Sequence, residues 1–225
     1  MANGGLYIEE MILLTRIHPE AYARRCCVFV ALALCGLSLL MMPAAATESR
    51  VSKVNFTING TVVEVEDGDT LTLRGSGGGR FHIRLSDLDA PEVAHANNPY
   101  RERPSCRNAP HRAAGQPGGE ASREALSRRA PRKAAARAEC YTIDRYGRPV
   151  CHVFVATTNL NLEQLRDGWG SLLINRTWVR DPASADAEQA ARNAHRGIWA
   201  DQQPQSPDSW RSRCWCQAQC IGTGR

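Results

Sequence analysis

Alternation of apolar and polar positions predicts the first strands. Residues 54–66 are strand-like, with Ile58, Val62, Val63 and Val65 supplying β-branched apolar side chains, and Asp67-Gly68-Asp69 ends the run. Thr70-Leu71-Thr72-Leu73-Arg74 alternates again. The clearest strand is Phe81-His82-Ile83-Arg84-Leu85, which sets Phe81, Ile83 and Leu85 on one face and His82 and Arg84 on the other. The glycine-rich residues 75–79 between these two runs read as a hairpin turn, because the Lys-Ser/Thr ending of a phosphate loop is missing. A second hairpin is predicted from residues 140–143 and 149–155, with the turn at 144–147. That register sets Cys140 opposite Cys151, where a cross-strand disulfide can form.

Elsewhere the pattern is helical or broken. Residues 120–138 are rich in alanine and arginine and read as a helix with a break near Pro131. Residues 159–168 read as a short helix with Leu160, Leu162 and Leu165 apolar and Gly168 as its stop. Asp181-Pro182 opens a further helix through Ala194, closed by Gly197-Ile198-Trp199. Residues 94–119 read as a long loop, interrupted by Pro99, Pro104, Pro110 and several glycines.

The N-terminus sets the expected compartment. Arg24-Arg25 precedes an apolar run over residues 26–42, and Pro43-Ala44-Ala45-Ala46 follows, the arrangement of a secretory signal cleaved after Ala46. The run is short for a membrane span. Met11 is an alternative start. The expected organisation is a signal over residues 1–46, one domain over 54–201 and a cysteine-containing tail over 202–225. The mature chain is expected in the periplasm or outside the cell, with no stable membrane association. Of nine cysteines, Cys26, Cys27 and Cys35 leave with the signal. The six others, Cys106, Cys140, Cys151, Cys214, Cys216 and Cys220, point to disulfides in an oxidising compartment, with their pairing open. A zinc site in the tail lacks a fourth nearby ligand. Disulfide bonding is the expected use of the tail cysteines, Cys106 being a candidate partner.

Net charge is +5, and it is unevenly spread. Ten basic and three acidic side chains fall within residues 101–137. A nucleic-acid-facing patch and a solvated basic surface both fit that excess.

The chemistry concentrates at three turns. Asp67 and Asp69 lie at the first, Asp89 and Glu92 follow the strand that carries Arg84, and Arg148 lies just past the turn at 144–147. Carboxylates suit a hard cation, and guanidinium forks suit a phosphate. Together they are the parts of a metal-assisted phosphodiesterase.

These residues carry a family resemblance. Val63-Glu64-Val65-Glu66-Asp67-Gly68-Asp69-Thr70, then Ile83-Arg84-Leu85 through Asp89-Ala90-Pro91-Glu92, then Asp144-Arg145-Tyr146-Gly147-Arg148 resemble the staphylococcal thermonuclease family. Glu120-Ala121-Ser122, residues 162–168 and Gly197-Ile198-Trp199 follow in the same order. The resemblance implies an α+β fold, an OB-type five-stranded β-barrel with packed helices. It also implies a monomer that cleaves DNA and RNA with Ca2+. Residue by residue, it implies that Asp69, Asp89 and the Ala90 carbonyl bind calcium, and that Asp67 and Glu92 act through bound water. It further implies that Glu92 is the general base and that Arg84 and Arg148 bind phosphate. The chain departs from the family at Ile174-Asn175-Arg176, where tyrosines that stack near the substrate are expected. It also carries a longer loop after Val93, a segment that could cover the site.

Two other functions compete with the nuclease reading. A binding-only OB-type module needs no such full set of acids and arginines. A calcium-stabilised structural protein would use Asp67-Gly68-Asp69, but the 12-residue EF-hand pattern is absent.

Overall fold

The computed structural model describes residues 53–220. The signal expected over residues 1–46 lies outside them. Among the described residues no helix is long and apolar enough to cross a membrane.

Five strands close into a barrel. Strands β1 (Phe56–Val65), β2 (Thr70–Gly75) and β3 (Arg80–Leu85) form an antiparallel meander. A two-residue strand, β4 (Leu88–Asp89), follows. Strand β5 (Ala135–Ile143) pairs with the other edge of β1, and β6 (Pro149–Val155) pairs with β5. Parallel pairing of β3 with β6, Arg84 to Val150 and Leu85 to Cys151, closes the ring. Closure leaves no long exposed edge among these strands. Short strand β7 (Thr158–Asn159) extends the sheet, and β8 (Ser171–Leu172) pairs with β4. This is the α+β, OB-type barrel expected from the sequence.

Alternation explains the core. Val62, Leu71, Leu73, Ile83, Leu85, Leu126, Val153, Leu160 and Leu165 are buried together. Phe81 keeps the alternation but is not buried with Ile83 and Leu85. It is 37% exposed at the start of β3, and its ring lies against Gly75, where an added Cβ would come within 2.9 Å.

Helices pack on the barrel as α1 (Gly119–Arg129), α2 (Leu160–Arg166) and α3 (Ala183–Asn193). The helix read over 120–138 is corrected. It ends at Arg129, and from Ala135 the chain is strand β5. Ala136 and Ala138 enter the barrel while Arg137 and Glu139 face outward. Alanine's helix propensity is a weak prior, and hydrogen bonding to β1 outweighs it.

Among the described residues the disulfides are Cys140–Cys151, Cys106–Cys216 and Cys214–Cys220. The second joins the long loop to the C-terminal segment. That segment forms α4 (Pro207–Trp210), which runs into a π-helical turn, Arg211–Cys216. Ala113, Trp210, Cys214 and Trp215 make a second small core with Tyr100, Ala114 and Cys220. The indole N–H groups of Trp210 and Trp215 both donate to the Ala114 carbonyl, at 3.2 and 2.7 Å. The tail is therefore built into the fold.

Candidate active site

The acidic turns are tied to each other before any ligand is considered. Asp67 Oδ1 accepts the Asp69 N–H at 2.9 Å, which shapes the turn between β1 and β2. A Cβ on Gly68 would fall 1.9 Å from Ser122 Oγ and 2.7 Å from the Ala90 Cβ, so only glycine lets this turn sit against α1 and the β4 segment. Buried Gln164 donates to the Gly68 carbonyl at 2.8 Å and to the Ser122 carbonyl at 3.2 Å. Asp69 Oδ2 accepts the Ala90 N–H at 2.7 Å, which brings the second acidic segment to the first.

Arg84 lies between the two turns. Its guanidinium pairs with Asp69 Oδ1 and donates to Asp89 Oδ1 at 2.9 Å and to the Leu88 carbonyl at 3.1 Å. Strand alternation faces it away from Ile83 and Leu85, as the pattern predicts. Burial lowers its proton affinity, and Asp89 and Asp67 oppose that shift. Burial also raises the Asp67 carboxyl against the pull of Arg84. Asp89 feels the same burial, but Arg84 and Arg211 outweigh it and hold its carboxyl below the usual range.

Asp87 braces this segment from behind. It is fully buried and has φ +70°, a left-handed conformation that aspartate tolerates better than most residues. Its carboxylate accepts from His152 Nε2 at 3.0 Å, the Arg180 and Asp181 N–H groups at 2.9 and 2.8 Å, and Ser184 Oγ at 3.0 Å. Asp87 thus ties the Asp89 strand to β6 and α3. The sequence reading did not single it out.

Glu92 is 14% exposed, and burial pushes its carboxyl up to about 6, with Arg211 pulling the other way. Arg148 enters from the second hairpin. Asp144 Oδ2 accepts from its Nε at 2.8 Å. The parallel β3–β6 pairing brings this hairpin beside Arg84, close enough that Arg148 disfavours charge on the Arg84 guanidinium. Tyr146 beside it is 61% exposed, its hydroxyl takes a bond from Arg103 at 3.1 Å, and Arg145 and Arg148 lie over its ring. Ile174 and Trp178, in the departing segment, are also exposed.

Arg211 is a second residue that sequence reasoning missed. It donates to Asp89 Oδ1 at 3.1 Å, Asp89 Oδ2 at 2.7 Å and Glu92 Oε1 at 2.5 Å. No spacing in the tail points to it. The only signal was the pair of cysteines at 214 and 216, which brings the tail back toward Cys106.

A sequence model of the family described as "Staphylococcal nuclease homologue" matches residues 82–201, more than half of the chain. The chain belongs to the staphylococcal nuclease family. An uncharacterized endonuclease of Haemophilus influenzae is 29% identical over 150 residues, covering 67% of this chain and 71% of that protein. An uncharacterized endonuclease of Escherichia coli O157:H7 is 28% identical over 156 residues, covering 69% and 86%. A probable staphylococcal-like nuclease of Oryza sativa is 27% identical over 132 residues, covering 59% and 29%. This homology supports nuclease activity, with nucleic acid as the substrate.

Nucleases of this family generally depend on a metal ion. The donor chemistry here fits one: Asp69 and Asp89 are joined through a single guanidinium, and hard carboxylate oxygens suit a hard dication. Among the described residues, however, no three acidic, histidine or cysteine side chains already converge as a ligand set. Arginines hold the carboxylates instead.

Proposed function

We propose that this family nuclease is an exported, calcium-dependent enzyme that hydrolyses phosphodiester bonds of DNA and RNA with little sequence preference. One observation carries the reading: Arg84 bridges Asp69 and Asp89 at the meeting of the two acidic turns, with Glu92 and Arg148 beside them. A binding module has no use for that set. Export is supported by the N-terminal sequence pattern and by three disulfides, which persist in oxidising compartments. The protein is proposed to act as a monomer in the periplasm or outside the cell.

Asp69, Asp89 and the Ala90 carbonyl would hold the calcium, with Asp67 acting through water. Bound there, the ion supplies Lewis-acid polarisation of the phosphate. The protein's own groups do the rest. Arg84 and Arg148 present directed N–H pairs to the equatorial phosphate oxygens, where charge grows as water attacks. Glu92 accepts the proton of the attacking water. Its raised carboxyl brings it nearer the operating pH, where a general base is most effective. Exposed Tyr146 and its arginines offer a surface for the strand, and low aromatic content elsewhere accords with weak base selectivity.

The expected result with supercoiled plasmid is nicking in the presence of calcium and none with chelator. Equal rates in calcium and in chelator would overturn the metal reading.

A further inference from the structure

The C-terminal segment brings its own cation to the acidic turns. Arg211 is only 17% exposed and spans Asp89 and Glu92 with three bonds, while Asp208 lies 3.8 Å away. Asp89 Oδ1 therefore serves two guanidiniums at once, those of Arg84 and Arg211. These are charge-assisted bonds shielded from bulk water, which makes them among the stronger contacts a side chain forms. Arg211 uses the same carboxylate lone pairs that a dication would need, and its charge repels one.

The position of Arg211 is enforced. Buried Trp210 precedes it, and Trp215 and Cys214 follow within the same turn. The Asn98 amide donates to the Trp215 carbonyl at 2.7 Å, and the Gln116 amide donates to the Gln205 carbonyl at 2.8 Å. Cys106–Cys216 fastens the turn to the long loop. A tethered group binds at an effective concentration on the order of millimolar, without the cost of finding its partner. A guanidinium so held competes far better than one free in solution.

We propose that Arg211 is a tethered counter-cation that competes with the divalent metal for Asp89 while it occupies Glu92, so that the C-terminal segment is an autoinhibitory strap over the site. This rests on the metal reading of Asp69 and Asp89 given above. Metal loading requires the Arg211 guanidinium to leave Asp89. By reciprocity, metal must loosen the strap as much as the strap weakens metal binding.

Calcium titration by calorimetry, without nucleic acid, tests this on the purified protein. Arg211→Gln is expected to bind calcium about tenfold more tightly than the unaltered protein, and Asp89→Asn to bind it more weakly. Hydrogen exchange on the unaltered protein gives a second readout that needs no variant. Amides within Arg211–Cys216 should exchange several-fold faster when calcium is added. Equal or weaker calcium affinity in Arg211→Gln overturns the proposal. So does unchanged exchange in the strap when calcium binds. If the unaltered protein binds calcium and Asp89→Asn binds it equally well, the metal reading itself fails, and the competition fails with it. Complete absence of calcium binding in the unaltered protein and in Arg211→Gln has the same meaning.

Discussion

Arg84→Ala is expected to lower the rate of phosphodiester cleavage by about 10²–10³-fold, the loss typical of removing one preorganised donor from a developing oxyanion. Its guanidinium is fixed by Asp69, Asp89 and the Leu88 carbonyl. Turned from these carboxylates to the phosphate, it meets the charge that grows in the transition state. Arg84→Lys should recover little of the rate, because an ammonium is a point charge and cannot reproduce the planar fork. Single-turnover cleavage of a labelled oligonucleotide at saturating calcium measures this apart from binding. A near-normal rate in Arg84→Ala would remove Arg84 from the chemistry and leave it only the structural bridge.

Asp87→Ala should cost about 3–5 kcal/mol of folding stability, as expected when one partner of a buried charged network is removed. Four donors from β6, the approach to α3 and α3 itself lose their acceptor together. Alanine is also strained at φ +70°. Thermal unfolding should shift down on the order of 10 °C for a domain of this size. Burial raises the Asp87 carboxyl, but the His152 bond and the backbone donors outweigh it, so its folded pKa is depressed. Its contribution is therefore fully present above the unfolded carboxyl value of about 3.9 and is lost as pH falls through the lower folded value. Asp87→Ala should lose that acid-linked part of the stability curve. A variant within about 1 kcal/mol of the unaltered protein would show that the four donors find water or other acceptors.

Much of the barrel and site was legible because each depends on short-range rules. Period-two alternation placed Ile83 and Leu85 inside and so fixed the direction of Arg84. The turn arithmetic around 144–147 placed Cys140 against Cys151, which pair in both register and disulfide. Local rules failed where tertiary pairing decides. The alanine-rich run after Pro131 has helical propensity, but β1 recruits it as a strand. Phe81 follows the alternation, yet it lies at the barrel's end beside a glycine turn, where no core remains to cover it. Arg211 is the largest omission. Its partners are 119 and 122 residues away in sequence, and the surrounding π-helical turn has no periodic signature. Asp87 went unnoticed for a related reason. In sequence it is one acid among several, and only the fold assembles its four donors.

The most direct test of the nuclease account is plasmid cleavage by Glu92→Gln, read together with DNA binding. The account predicts that the unaltered protein nicks supercoiled plasmid in calcium. Glu92→Gln should still shift DNA in a gel while cleaving at least about 100-fold more slowly, the scale of a lost general base. Intact plasmid and intact RNA with the unaltered protein, alongside retained binding, would contradict the account and leave a barrel that holds nucleic acid without cutting it.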